Sequence, residues 1–171
     1  LLYSEEYEKR KNDKSYFGKK GLNPELLPSI VKKAHAENLR VSAHVATPTD
    51  FENAILSGVD EISHLPGYSN GLRISKRQAE LAAKNNVTVI TTASLATKRS
   101  KNPNYKQLLE SVKFNLKALK EANVKLAVGS DMYNDTSVGE VKFLKETGVF
   151  SNLDLLKMWS ENSPSTIFPK R

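Results

Sequence analysis

Three short apolar runs in this chain each end on a side chain able to bind a metal: Val41-Ser42-Ala43-His44, Glu61-Ile62-Ser63-His64 and Leu126-Ala127-Val128-Gly129-Ser130-Asp131. A segment with helical signals separates each run from the next, and strands joined through such crossovers lie parallel in one sheet. Two neutral imidazoles and a carboxylate form a divalent-metal ligand set. The carboxyl ends of parallel strands are also where α/β folds carry their sites. The pattern therefore predicts chemistry at one end of a parallel sheet.

The helical segments carry their own start and stop signals. Asn23 with Pro24 and Glu25 reads as an N-cap, a first-turn proline and a first-turn acid, leading into Leu26, Leu27, Ile30, Val31 and Ala34 and ending near Asn38. Thr47-Pro48-Thr49-Asp50 opens a second, short helix that Gly58 closes, and a third runs from about Ser75 to Asn85. In the fourth, Tyr105, Leu108, Leu109, Val112, Leu116 and Leu119 hold one face while Lys106, Lys113, Lys117 and Lys120 hold another. The β-branched stretch Val87–Thr92 supplies a further strand. After Asp131 a loop leads to a helix over Val138–Thr147; Gly148 ends it, and Ser151 caps a last helix carrying Leu153, Leu155, Leu156 and Trp159, of which Trp159, at helical spacing with Leu155 and Leu156, is expected in the core.

These elements make four β/α units, roughly the second half of a TIM (β/α)₈ barrel, which usually needs about 250 residues. The 171 residues are therefore expected to form one partial domain of a larger protein. Leu1-Leu2-Tyr3 reads as the tail of an earlier strand, with the charged stretch to Gly21 as a long loop after it. The runner-up architecture is a flavodoxin-like α/β domain that binds a ligand at the same strand ends without catalysis.

Composition narrows the function classes. No run is long enough to span a bilayer, and the absence of cysteine removes disulfides, thiolate metal sites and cysteine nucleophiles together. It leaves the compartment open, because any targeting segment would lie upstream of Leu1. The formal charge of +7, with Lys98, Arg99 and Lys101 as its densest cluster, comes mainly from lysines at solvent-facing helix positions without interleaved aromatics. Nucleic-acid binding is not expected from that pattern.

The VSAHV and EISHLPG strand ends, NLKALKEANVKLAVGSDM and the closing ENSPSTIFPKR resemble the later half of an amidohydrolase-superfamily barrel, close to its imidazolonepropionase-like and Xaa-Pro dipeptidase-like branch. The resemblance runs from about Leu22 onward. It implies that His44 and His64 are the metal-binding histidines ending the fifth and sixth barrel strands. It also implies that Asp131 is the eighth-strand aspartate, which touches the metal and takes the proton of the attacking water. The implied cofactor is a divalent metal, most often zinc, and the implied substrate a small amide, cyclic amide or dipeptide cleaved at a C–N bond. A divalent ion lowers the pKa of its bound water from about 15.7 toward 7, and a neighbouring carboxylate can take that proton and pass it to the leaving nitrogen.

The departures matter equally. The family's first-strand His-x-His pair is missing, since His35, His44 and His64 are the chain's three histidines, and the fourth-strand lysine would fall just before Leu1. The chain is thus expected to be inactive alone and to self-associate or pair with the other half-barrel. Tyr68, Thr92 and Tyr133, which follow or end the relevant strands, are candidate substrate contacts; strand and loop packing would account for them too. Asp131 could alternatively cap a turn, and His35, inside the first helix among charged neighbours, is read as structural.

Overall fold

Helix starts follow the predicted caps closely. In the computed structural model, which describes residues 7, 11–14, 21–133 and 136–168, Asn23 Oδ1 accepts the Glu25 N–H at 3.1 Å and Thr47 Oγ1 accepts the Asp50 N–H at 3.1 Å. Ser75 with Gln78 and Ser151 with Asp154 form reciprocal capping boxes. The order is a 3₁₀ turn (Pro24–Leu26), α1 (Leu27–Ala36), β1 (Ser42–His44), α2 (Pro48–Leu56), β2 (Glu61–Ser63), α3 (Lys76–Lys84) and β3 (Thr88–Ile90). A 3₁₀ stretch (Ala93–Arg99), α4 (Tyr105–Glu121), β4 (Lys125–Ala127), α5 (Ser137–Glu146), α6 (Asn152–Lys157), a π turn (Met158–Asn162) and α7 (Ser163–Ile167) follow. The predicted strand tail Leu1-Leu2-Tyr3 lies outside the described residues, as does most of the loop to Gly21.

Every helix that feeds a strand ends in the same way. Asn38, Gly58, Asn86 and Asn123 take positive φ of 57°, 84°, 53° and 59°, and the N–H of the next residue bonds five back, Leu39 to Ala34, Val59 to Ala54, Val87 to Ala82 and Val124 to Leu119. Each is a Schellman turn, which satisfies the last carbonyls of its helix; the next residue is a buried valine at 59, 87 and 124, whereas Leu39 stays exposed.

The four strands are all parallel and lie in the order β1-β2-β3-β4. Among the described residues the winding never reverses, so their sheet shows no switch point of the kind that defines flavodoxin-like folds, and the runner-up architecture is not favoured. Consecutive β/α units in one direction are the construction of a barrel. In register, Ala43, Ile62, Val89 and Leu126 form one buried row under the helices. There they join a core that includes Phe51, Ile55, Val112, Leu116 and Leu119. The rows on either side, Ser42-Glu61-Thr88-Lys125 and His44-Ser63-Ile90-Ala127, alternate to the opposite face by the period of two.

The last helical region departs from expectation. Leu155 and Met158 are buried, whereas Leu153, Leu156 and Trp159 are exposed, and the Trp159 indole N–H donates to Ser137 Oγ at 2.9 Å. The expected stripe assumed that Leu156 and Trp159 share the inward face with Leu155. Instead the stripe runs through Leu155 and Met158, and the wider π turn beginning at Met158 changes the helical phase beyond it. Among the described residues no helix is long and apolar enough to cross a membrane.

Candidate active site

The backbone at the carboxyl ends of β2, β3 and β4 is bent alike. His64, Thr92 and Asp131 have φ of 79°, 40° and 49°, and with the three turn asparagines they are the non-glycine residues of positive φ among the described residues. Such angles are uncommon for non-glycine residues and a true outlier for a β-branched one such as Thr92, so their clustering marks the site. Two glycines make room for it. A Cβ on Gly129 would come within 2.5 Å of Ile90 Cγ2, so the end of β4 approaches β3 only with glycine there. Gly67 (φ 80°) carries the chain past Leu72 O and Asn115, where any side chain would collide with backbone.

These bends bring the predicted residues together. The His44 and His64 rings meet edge to face with centroids 4.3 Å apart. His64 is buried, its Nδ1 lies 2.7 Å from Thr92 Oγ1, and its Nε2 faces Asp131 Oδ2 at 4.0 Å. That last separation exceeds a hydrogen bond. The Tyr68 ring lies 5.2 Å from the His64 ring in a tilted stack. Thr92, expected against substrate, is buried with its hydroxyl on His64, and Tyr133, two residues past Asp131, is fully exposed. His35 is elsewhere, with Nε2 2.9 Å from Asp60 Oδ2 on the rim of β2.

Burial, reinforced by the neighbouring His64 and opposed by Asp131, lowers His44 to a pKa of about 4. Burial likewise lowers His64 against the pull of Asp131. Both imidazoles are therefore neutral near pH 7 and offer lone pairs, the form in which histidine binds metals. Burial and the Asp131 charge raise the Tyr68 phenol, which stays a hydrogen-bond donor. The donor chemistry thus suits a divalent cation, but among the described residues no three His, Asp or Glu side chains are spaced to hold one. An ion at this place needs donors beyond the described set.

Two buried polar residues that sequence reasoning missed shape the mouth of the site. Asn115, fully buried on α4, accepts the Ile74 N–H at 3.0 Å and donates to Pro66 O and Leu72 O at 2.8 and 2.9 Å, stapling the loop that carries Tyr68. Glu140, fully buried on α5, accepts from Thr91 Oγ1 at 2.6 Å and from the Ala93 and Ser94 N–H groups at 2.8 Å each. The signal in each case is one polar residue inside an apolar helical stripe, Asn115 between Val112 and Leu119, and Glu140 beside Val141 and Leu144.

The model of the Amidohydrolase family matches residues 9–167. No curated protein matches the chain. Among solved structures, the Aspergillus niger (A. niger) ochratoxinase superposes with a TM-score of 0.71 at 25% identity, covering 84% of this chain and 34% of that one. A Xaa-Pro dipeptidase with methionine bound in its active site gives 0.59 at 19% identity, over 75% of this chain and 34% of that one. A prolidase complexed with N-methylphosphonate-L-proline gives 0.60 at 22% identity, over 81% and 35%. The chain spans about a third of the length of the structures it resembles. With a family match over nearly all of its residues and the parallel β/α architecture to go with it, the chain belongs to the amidohydrolase family.

Proposed function

We propose that this chain is the later half of a metal-dependent amidohydrolase barrel whose complete form hydrolyses a C–N bond in a small amide, cyclic amide or dipeptide. The observation that carries the reading is the convergence of His44, His64 and Asp131 at the carboxyl ends of β1, β2 and β4, with both rings neutral and the carboxylate 4.0 Å from His64 Nε2. The likeness to a prolidase and a Xaa-Pro dipeptidase supports a dipeptide substrate.

In this reading His44 and His64 donate lone pairs to a divalent ion, zinc by donor type, with the remaining donors supplied by the earlier half of the barrel. When bound, the ion supplies a hydroxide equivalent near neutral pH and polarises the scissile carbonyl. Asp131 accepts the proton of the attacking water and passes it to the leaving nitrogen, for which its half-exposed carboxylate is free to move between the two. Thr92 fixes the His64 ring, and Tyr68 covers its face and presents a protonated hydroxyl to the mouth.

The test uses the complete barrel and a prolyl dipeptide. Asp131→Asn keeps size and a carbonyl oxygen but removes the base, so it should lower kcat by about 10²- to 10⁴-fold with metal content largely retained. His64→Ala should lower both, because it deletes a donor. Near-normal kcat in Asp131→Asn would make the aspartate a turn residue and end the assignment.

A further inference from the structure

Glu140 is an expensive residue to place where it is. A fully buried carboxylate pays several kcal/mol in lost hydration, and burial accordingly pushes its pKa up against the pull of Ser94, Thr91 and the Ala93 N–H. What its three hydrogen bonds grip is the segment Thr91 to Ser94, on both sides of the left-handed Thr92.

A threonine at φ 40° and ψ 30° is held there only if its surroundings over-determine it. The residue before it donates its hydroxyl to Glu140, and the two residues after it donate their amides to the same carboxylate. The Thr92 N–H itself bonds Gly129 O at 3.0 Å, tying the segment to the end of β4. The product of this clamp is one geometric fact: Thr92 Oγ1 lies 2.7 Å from His64 Nδ1, while the other ring nitrogen faces Asp131.

We infer that Glu140 is a positioning residue that acts through Thr92 to hold the His64 proton on Nδ1 and its lone pair on Nε2, facing the site. The inference rests on the reading of His64 as a metal-facing histidine. In that role one ring nitrogen donates to an orienting partner while the other is offered. In this assignment the threonine hydroxyl accepts from Nδ1–H, and the carboxylate on α5, beyond α4 and β4 in sequence, keeps that hydroxyl in place. Glu140 touches neither substrate nor ion.

The tautomer of His64 tests this without metal or substrate. Long-range ¹H–¹⁵N spectra at pH 8, where the ring is neutral, distinguish Nδ1–H from Nε2–H. They are recorded on the 171-residue chain if it is monomeric and otherwise on the complete barrel. Wild type should show mainly the Nδ1–H form. Thr92→Ser keeps the hydroxyl and should retain it, whereas Thr92→Val keeps the shape and should shift the ratio toward Nε2–H by about tenfold or more, the loss of one hydrogen bond. Glu140→Gln sets an amide donor against one of the three donors, and should move the ratio the same way while Thr91→Val, which leaves both backbone bonds, moves it less.

A second readout is zinc affinity by chelator competition, where loss of an orienting partner typically costs about 10- to 100-fold. A wild-type ring protonated on Nε2, or a Glu140→Gln ratio equal to wild type, overturns the inference. A merely structural Glu140 would lower the melting temperature and leave the ratio alone. Failure of the hydrolase reading shows differently: the complete barrel would cleave no amide while the tautomer pattern stood.

Discussion

At the scale of single residues, glycines and the buried Asn115 amide shape the mouth of the sheet around the candidate site. Gly67 combines φ 80° with a backbone oxygen where a Cβ would be, so Gly67→Ala must open the turn that Asn115 staples. We expect a loss of about 1–3 kcal/mol from strain of that kind, together with weaker order in the loop that carries Tyr68. Urea melts of the assembled protein, with Gly148→Ala as control because nothing stands within 4 Å of that position, measure the difference. Equal losses would mean that φ alone, and not the contact with Leu72 and Asn115, sets the cost. Asn115→Leu is the complementary change: the side chain fits the apolar stripe but leaves the Ile74 N–H and two carbonyls unpartnered, at about 1–3 kcal/mol for such a group.

At the scale of elements, packing and electrostatics divide the work. Burying Leu116 on α4 contributes to a core that a Leu116→Ala cavity would weaken by about 2–5 kcal/mol. The link from α4 to α6 is polar instead: Lys120 Nζ donates to Asp154 Oδ2 at 2.8 Å and to Val149 O at 2.9 Å. Lys120 and Ser151 lower Asp154 from 3.8 to about 2. A carboxylate with a folded pKa below its unfolded one stabilises the fold above pH 4 and loses that contribution as the pH falls toward 2. Both side chains are about 40% exposed, so the effect stays on the surface-pair scale of about 0.2–1 kcal/mol. Lys120→Met should therefore lower stability more at pH 6 than near pH 2, where only the lost Val149 bond remains; a gap that does not narrow across that range would place the whole loss outside the ion pair.

The elements were legible in the sequence where the signal is local. Asn23, Thr47, Ser75 and Ser151 open helices within a few residues of themselves, and His44, His64 and Asp131 stand at strand ends that alternation alone orders. What could not be read is non-local. Glu140 meets Thr91 across 49 positions and Asn115 meets Pro66 across the same number, so neither partner is visible from its neighbours. The role of Thr92 depends on a backbone angle that β propensity argues against. Trp159 was misplaced because a π turn begins at Met158 and changes the helical phase, the one local sign of it being Pro164 just beyond.

At the scale of the molecule, the sheet of the described residues runs from β1 on one side to β4 on the other. Sheet edges of this kind invite pairing with other strands, and Leu153, Leu156, Ile167 and Phe168 add exposed apolar surface near the end of the described chain. We expect the 171 residues alone to self-associate or to bind the earlier half of their barrel, and to hydrolyse nothing by themselves. Sedimentation and thermal melts in dilute solution check this, and a monodisperse monomer with one cooperative transition would refute it. Zinc should bind such a chain weakly, since two histidines and an aspartate leave the rest of the coordination to water.

The non-glycine left-handed residues are sorted between the two ends of the sheet: asparagine at the helix-to-strand turns, His64, Thr92 and Asp131 at the opposite end. Asparagine tolerates that conformation and glycine adopts it freely, so the turns at 38, 86 and 123 can be varied for robustness with reactivity untouched. At the other end, the exchange that would relax the backbone deletes an imidazole, a hydroxyl or a carboxylate. Any drift of this protein toward greater thermal endurance is therefore open at one pole of its barrel and closed at the other.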